Sequence, residues 1–456
     1  MSKSTKNTKL LGYFENLKPW LGDFIKVVMP YIKYLSFSMV VLLALIISGL
    51  VFKNHSETKT FSTQNGNWTI ASKLVKGSGY VACEQAYFPF CGPSNNVTAM
   101  REPIPVFLMA LARIIEPSHD SGLIMQILLY LGTIPIIFFL LRRENIYLRI
   151  VATFFWTISI PVIDEIGNDA GHLAAVLFYM SGILFFLNGI RKEKTSYFFV
   201  SGILMGLASL SRTILMGTAI GIGISLLGMQ IFLRNKRQIL NALLFLGIVV
   251  LMLAPWVLRN KIVLNSPVIG STLTGYNIYR MNYYLGEEPF RPHYVGGEEA
   301  YKAVTELIKN SHLTGLENEA QMQDFYSQAG KEIILRYPFR YIELSLYRFG
   351  MLWFDVSVKD AYGEKMYFID YVALLEQAFL LVLGLLGAIK RFKDYWPLVI
   401  TVILGSGAYM AVNAQLRYLV DLMPSIVILA ALSLPHIYFP NRLKKKDDKD
   451  LLNSIT

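Results

Sequence analysis

The chain has 456 residues, of which 54% are apolar and 16% are charged, and its formal net charge is +11. Because soluble domains carry charge on about a quarter of their residues, this composition excludes an ordinary soluble protein and predicts an all-α polytopic membrane protein. The positive charge does not indicate nucleic-acid binding, because the basic residues cluster in short connections between apolar segments, for example at Arg142-Arg143 and Lys390-Arg391. Short basic loops are typical of the cytoplasmic side of a membrane protein, so membrane lipids are expected partners and nucleic acid is not.

About ten apolar segments are predicted to be membrane-spanning helices. An even number of spans places both termini on the same side of the membrane, and the basic turns identify that side as the cytoplasm. The two long polar segments are then expected on the outer side. The predicted spans are residues 34–52, 121–141, 147–163, 170–190, 196–211, 213–233, 238–258, 366–389, 396–412 and 419–438.

Composition divides the chain into five regions. The first and the last are basic and are expected on the cytoplasmic side, and the three between them contain the spans and the outer segments. The regions are 1–33 (cytoplasmic interfacial segment), 34–258 (membrane domain with the first outer loop at 53–120), 259–365 (second outer soluble segment with amphipathic helices), 366–438 (C-terminal transmembrane helices) and 439–456 (basic cytoplasmic tail).

The first outer segment contains a short helix and the only two cysteines of the chain. The pattern from Asn67 to Lys76 predicts an amphipathic helix that ends at Gly77. Cys83 and Cys91 follow on the oxidising side, and the alternatives for them are an intraloop disulfide, which we expect, or two free thiols. The apolar stretch between Pro103 and Ile115 is too short to span and is expected to lie along the membrane surface.

The second outer segment is predicted to be largely helical. A helical pattern extends from Glu298 to Tyr337, where Pro338 interrupts it, and the following amphipathic helix is expected to lie on the membrane surface. We expect the two outer segments to pack together over one membrane face and to form the walls of an active site.

Five short sequence phrases occur in an order that carries a family resemblance. They are Trp68, Ala71, Leu74, Gly77 and Gly79-Tyr80; Arg101-Glu102-Pro103; Gly206 to Arg212; Pro255-Trp256 with Arg259-Asn260; and Arg417-Tyr418 with Pro424. Together they resemble the GT-C superfamily of membrane glycosyltransferases. The closest likeness is to the bacterial branch similar to protein O-mannosyltransferases and lipid A aminoarabinose transferase, which is the glycosyltransferase family 39-like branch.

The resemblance implies a function, a location and a set of partners. The function is that of an inverting transferase, which moves a sugar from a polyprenyl-phosphate carrier to the hydroxyl of an acceptor protein, lipid or glycan. The location is the bacterial plasma membrane, with the active site facing outward. A divalent cation is implied by the resemblance alone, because the sequence has no His, Cys, Asp or Glu set at metal-ligand spacing.

One departure from the family's pattern concerns the first outer segment. Family members usually carry an aspartate about a dozen residues before the paired glycines, whereas Phe61 to Trp68 contains no carboxylate. Either another carboxylate acts as the base, or an amide suffices, or the chain is a catalytically silent scaffold that binds polyprenyl phosphate. A lipid-linked glycan transporter or flippase is a further alternative, but such a protein is expected to have little soluble mass outside the membrane.

Direct displacement needs a base within hydrogen-bond reach of the acceptor hydroxyl. Asp169 and Glu102 are the predicted catalytic carboxylates. Asp169 has the alternative role of a helix N-cap, and Glu102 has that of an ion-pair partner for Arg101. Asp164 and Glu165 are expected to be a solvated helix end.

The phosphate of the donor requires cations, and the planar fork of arginine matches phosphate oxygens. The predicted phosphate-binding residues are Arg212, Arg259 and Arg417, and Arg101 is a further predicted substrate-binding residue. Arg212 interrupts an apolar stretch, where a charge is costly and usually faces a cavity, although an arginine at a helix end also extends to the membrane surface. The remaining predicted substrate-binding residues are Asn67, Tyr80 and His172, and packing is the alternative role of His172.

Overall fold

A computed structural model describes residues 36–57, 66–91, 96–118, 120–168, 171–354 and 365–435. Within these ranges the chain is helical and has no β-strand, only an isolated antiparallel bridge between Val81 and Val97. The all-α prediction is confirmed. The predicted interfacial segment 1–33 and the predicted tail 439–456 lie outside the described residues.

The helices are joined by short turns except in the two outer segments. In chain order they are α1 (Ser36–Glu57), α2 (Gly66–Val75), α3 (Pro103–Ile115), α4 (Asp120–Leu140), α5 (Ile146–Ile158), α6 (Ile160–Ile166), α7 (His172–Lys192), α8 (Thr195–Ser209), α9 (Ile214–Phe232), α10 (Lys236–Leu264), α11 (Leu273–Arg280), α12 (Gly297–Lys309), α13 (Glu319–Arg336), α14 (Pro338–Phe354), α15 (Phe368–Val412) and α16 (Met423–Ser433), with short 3-10 helices at Tyr283–Gly286 and Leu416–Asp421.

Six of the described helices are long and apolar enough to cross a membrane, namely α1, α4, α7, α9, α10 and α15. A seventh crossing is formed if α5 and α6, which are bent by 55° at a short break, count as one span. Since a bilayer needs about 20 apolar residues in a helix, the chain is a multi-pass membrane protein.

The prediction of ten spans is not confirmed, for two reasons. Helix α15 has 45 residues and unites two predicted spans across a kink, where Arg391 and Tyr395 have non-helical backbone angles. Helices α8 and α16 have 15 and 11 residues and are too short for a simple crossing. Apolar composition does not distinguish a short buried helix from a span, and every residue of α16 is buried within the protein.

Close helix contacts in the membrane domain depend on glycine. A Cβ at Gly387 of α15 would stand 1.8 Å from the carbonyl oxygen of Leu429 in α16, so the two backbones touch. Small residues that allow such an approach are typical of packed membrane helices. Helix α16 is thereby fixed against α15, and the 3-10 helix that precedes α16 is held at one end of the bundle.

The two outer segments pack against each other, as the sequence predicts. Glu319, at the start of α13, accepts hydrogen bonds from Thr98 Oγ1 at 2.6 Å and from the Ala99 amide at 2.8 Å in the first segment. It also accepts one from the hydroxyl of Thr272. Burial raises the pKa of the Glu319 carboxyl, and these hydrogen bonds oppose the shift. Glu319 therefore ties three parts of the chain together.

The predicted disulfide is present and links Cys83 to Cys91 within the first outer segment. It lies next to a contact between the segments, where Tyr326 of α13 donates to the Tyr87 carbonyl at 3.1 Å. The disulfide closes the loop from Cys83 to Cys91, and α13 contacts the backbone of this loop at Tyr87.

Alanine at Glu319 is expected to lower the thermal stability of the protein. The change leaves the Ala99 amide and the Thr98 hydroxyl without their acceptor, and a lost bond to a charged group typically costs about 1.5–3 kcal/mol. The apparent melting temperature of the detergent-purified protein measures the effect. Glu332→Ala, an exposed site on the same helix, is the matched control. Equal melting temperatures for both variants would show that Glu319 does not hold the segments together.

Candidate active site

Four parts of the chain meet at one end of the bundle: the start of α3, the start of α7, the turn between α8 and α9, and the 3-10 helix before α16. The Ile104 amide in α3 donates to the Leu210 carbonyl in the turn at 3.3 Å. Gly171, at φ 86°, precedes α7, and a Cβ there would lie 2.6 Å from Pro105 and 3.2 Å from the Ser211 carbonyl. This position needs glycine, both for its left-handed backbone and for the close approach.

A buried carboxylate, Asp421, is the centre of this region. Its Oδ1 accepts a hydrogen bond from His172 Nδ1 at 2.8 Å, and its Oδ2 lies 3.5 Å from Arg212 Nε. The hydroxyl of Tyr409 also donates to Oδ2. The Asp421 side chain is fully buried, so its charge is stabilised by these partners rather than by water.

Asp421 was not singled out by the sequence analysis, although a signal for it existed. An aspartate that stands between the apolar residues Val420 and Leu422, close to Arg417, is a charge in a costly environment. Its partners in the structure include His172, which is 249 positions away in the chain. The sequence indicates the charge but not the pairing.

Two of the predicted phosphate-binding arginines, Arg212 and Arg417, are far apart in the sequence but lie near the same aromatic ring. The guanidinium carbon of Arg212 is 5.6 Å from the centre of the Tyr418 ring, and that of Arg417 is 5.5 Å from it. Tyr409 stacks on Tyr418, with ring centres 4.9 Å apart. Arg212 is mostly buried, and its guanidinium is paired with Asp421.

Glu165 contradicts the expectation of a solvated helix end. Its side chain is buried, and neither carboxylate oxygen has a hydrogen-bond partner in the part of the chain that the structure describes. Arg417 and Arg212 act on it electrostatically. Its neighbour Asp164 is exposed, as predicted. Side chains of successive helical residues point about 100° apart. In α6, Asp164 is therefore exposed at the surface while Glu165 is buried in the cluster.

Glu102, the residue that precedes α3, faces the same cluster. Its Oε1 accepts hydrogen bonds from the Thr213 amide at 3.3 Å and from the Thr213 hydroxyl at 3.0 Å, in the turn that carries Arg212. Among the described residues no ion pair joins Glu102 to Arg101. The partner of its carboxylate is Thr213 instead. The carboxylate is half-buried and oriented.

Tyr80 and Arg259 form a separate group that supports the first outer segment. Tyr80 donates to the Arg101 carbonyl at 2.9 Å, and burial raises the pKa of its hydroxyl well above the ordinary value, so it stays a donor. Arg259 donates to the carbonyls of Thr98 at 2.7 Å and Tyr80 at 3.3 Å and to Asn260 Oδ1 at 2.8 Å. These contacts favour a structural role for Arg259, and its binding of substrate stays a prediction.

The other predicted site residues differ in burial and in their contacts. Arg101 is half-buried, and its Nε has no hydrogen-bond partner in the described ranges. Asn67 is buried in α2. Asp169 falls between residues 168 and 171 and lies outside the described residues. His172, in contrast, is buried and hydrogen-bonded to Asp421. It is therefore both a packed side chain and a partner of the buried carboxylate.

A bound divalent cation finds no ready ligand set in this cluster. No group of three His, Cys, Asp or Glu side chains that could hold a metal occurs among the residues that the structure describes. The oxygens of Glu165 have no hydrogen-bond partner among the described residues, and the charged groups that act on it are the arginines Arg417 and Arg212 together with the carboxylates Asp164 and Asp421. The cation stays an expectation from the resemblance.

Comparison with known proteins gives a match only at the level of structure. No family model matches the chain, and no curated protein matches it. The archaeal oligosaccharyltransferase AglB from Archaeoglobus fulgidus, in complex with an inhibitory peptide and a dolichol-phosphate, has a TM-score of 0.52 and 15% identity, over 94% of this chain and 52% of that one.

Two further structures of an Archaeoglobus fulgidus oligosaccharyltransferase are also similar to this chain. The apo form has a TM-score of 0.53 and 16% identity, over 92% of this chain and 52% of that chain. The complex with Zn and sulfate has a TM-score of 0.50 and 15% identity, with coverages of 87% and 48%. The chain thus spans about half the length of the proteins it matches, and over that half its fold is similar to theirs.

Proposed function

We propose that the chain is an inverting glycosyltransferase of the GT-C type, which transfers a sugar from a polyprenyl-phosphate carrier to an acceptor hydroxyl at the outer face of a bacterial plasma membrane. The observation that carries the proposal is the cluster in which Arg212 and Arg417 flank Tyr418 while Glu102 and Glu165 lie at its edge. The family 39-like phrases and the fold both support this class.

The donor phosphate is the natural ligand for the two arginines. Each guanidinium offers planar N–H donors, and charge-assisted bonds to phosphate are stronger than neutral ones. Asp421 is a negative charge 3.5 Å from Arg212, and this contact orients the guanidinium. In a site with little water, such cations stabilise the phosphate that leaves.

The reaction needs one base and no acid. The base takes the proton of the acceptor hydroxyl, the acceptor oxygen attacks the anomeric carbon, and the bond from that carbon to the phosphate oxygen breaks. The electron pair leaves with polyprenyl phosphate, and the anomeric configuration inverts. Glu102, which Thr213 orients, and Asp169 are the proposed bases, and the burial of Glu165 adds a third candidate.

The acceptor class rests on the resemblance rather than on the fold. The AglB complex contains an inhibitory peptide, so a peptide acceptor is a second candidate beside a hydroxyl on lipid or glycan. The absent loop aspartate keeps a silent polyprenyl-phosphate-binding scaffold as the alternative, along with a lipid-linked glycan transporter.

An assay of donor cleavage tests the proposed function. Purified protein is incubated with polyprenyl-phosphate-linked sugars and a mixture of acceptors, and free polyprenyl phosphate is measured. Acceptor-dependent release supports a transferase. Donor binding without release would indicate the scaffold, and movement of the intact carrier between the leaflets of a vesicle would indicate the transporter.

The outward orientation is tested by labelling. Single cysteines at Gln85 and Asn310, which are exposed in the first and second outer segments, are expected to react with a membrane-impermeant maleimide in intact cells. A cysteine at the exposed Lys194, in a predicted cytoplasmic turn, is the control and should react only after permeabilisation. The opposite pattern would reverse the topology and contradict an outward-facing site.

A further inference from the structure

An acidic side chain in a membrane-spanning helix contacts the break between α5 and α6. Glu376 lies eight residues after the start of α15, about 12 Å along the helix. Its Oε2 accepts a hydrogen bond from the Ile160 amide at 2.9 Å, across 216 positions of sequence. A carboxyl group at membrane depth is costly and usually has a function.

The contact gives a hydrogen-bond acceptor to the Ile160 amide, which the helix break leaves without one in the backbone. Helix α5 ends where the Ser159 amide bonds to the Trp156 carbonyl, and α6 begins at Ile160 with a proline in its first turn. The first amides of a helix have no acceptor within that helix, and a membrane offers no water to replace one. Glu376 supplies the acceptor, and ring contact between Phe155 and Phe379 holds α5 against the same helix.

Helix α6 leads directly to the candidate active site. It is seven residues long, is bent by 55° from α5, and packs against the 3-10 helix that carries Arg417. Glu165 stands five residues after Ile160 on this short rigid element. Its position near the arginines therefore depends on the direction that α6 takes at the break.

We propose that Glu376 is a positioning residue: its carboxyl oxygen holds the first amide of α6 at the bend and thereby places Glu165 beside Arg417. The effect on turnover rests on the proposed function, whereas the effect on α6 does not. The bond needs an acceptor oxygen and no charge, so the amide of glutamine should serve equally well.

Four variants separate the hydrogen bond from other effects. Glu376→Leu removes the acceptor, and Glu376→Gln keeps it. Ile160→Pro removes the donor without altering α15, and proline is tolerated at the start of a helix. Gln377→Leu is the matched control, because the neighbouring Gln377 is fully buried and neither atom of its amide has a hydrogen-bond partner in the described part of the chain.

The position of α6 is measured without reference to activity. Spin labels on cysteines at the exposed Asp164 of α6 and Asp324 of α13 report the distance between the two helices. A narrow distance distribution is expected with the native Glu376, in Glu376→Gln and in Gln377→Leu, and a broader or shifted one in Glu376→Leu and Ile160→Pro. Unchanged distributions in the last two variants would overturn the proposal.

Turnover provides the second measurement. Misplacing a reacting group by about 1 Å costs on the order of a hundredfold in rate, so kcat should fall about tenfold to a hundredfold in Glu376→Leu while the donor KM changes little. Glu376→Gln should restore kcat, whereas equal loss in both variants would show that charge, not the acceptor, matters. If the unaltered protein releases no polyprenyl phosphate, the proposed function fails, but the distance measurement still decides the role of Glu376.

Discussion

Lysine in place of Arg212 is expected to weaken donor use about tenfold to a hundredfold in a protein that still folds. Lysine keeps the positive charge but loses the planar fork, and one such charge-assisted contact is worth about 1.5–3 kcal/mol. The kcat/KM for a polyprenyl-phosphate sugar and the dissociation constant of polyprenyl phosphate measure the effect. Arg291→Lys, an exposed arginine of the second outer segment, is the matched control.

Asparagine at Asp421 extends the same prediction to the group that holds Arg212. The change removes the charge that His172 and Arg212 face inside the protein, and breaking a buried pair typically costs about 3–5 kcal/mol of stability. We therefore expect lower donor affinity together with a lower melting temperature. Wild-type donor affinity in both Arg212→Lys and Asp421→Asn would exclude Arg212 as the phosphate ligand.

Amide replacement of the catalytic base is expected to have the largest effect of all. Glu102→Gln, Glu165→Gln and Asp169→Asn each preserve size and hydrogen bonding but prevent proton uptake. In the variant that lacks the base, turnover should fall by about 10²–10⁴ while polyprenyl phosphate still binds nearly as tightly. Single-turnover rates and donor dissociation constants, measured side by side, distinguish this result from loss of binding.

The structure supplies a control for the carboxylate series. Asp164 is adjacent to Glu165 but exposed, so Asp164→Asn should leave turnover within about twofold, as is usual for a surface change. Thr213→Val removes the hydroxyl that orients Glu102 and should reduce turnover only if Glu102 is the base. Wild-type turnover in all three amide variants would exclude Glu102, Glu165 and Asp169 as the catalytic base.

Several features follow from local sequence and are found in the structure. Apolar runs and basic turns predict a helical membrane protein, because both signals depend only on neighbouring residues. Because the chain has no other cysteine, Cys83 and Cys91 were the expected disulfide partners, and the structure has them bonded. The packing of the outer segments was also predicted, although not the residue responsible, since the bonds of Glu319 to Thr98 and Ala99 join positions about 220 apart.

Tertiary structure alone decided which polar residues form the cluster. A helix break of one residue at Ser159 turns α6 so that Glu165 is buried and Asp164 is exposed, and no local pattern distinguishes these two adjacent acids. The partners of Asp421 come from distant segments, and whether a charge is buried depends on what the rest of the chain packs over it. The sequence by itself determined the class of protein and indicated the arginines Arg212 and Arg417, whereas long-range packing determined which carboxylates these arginines meet.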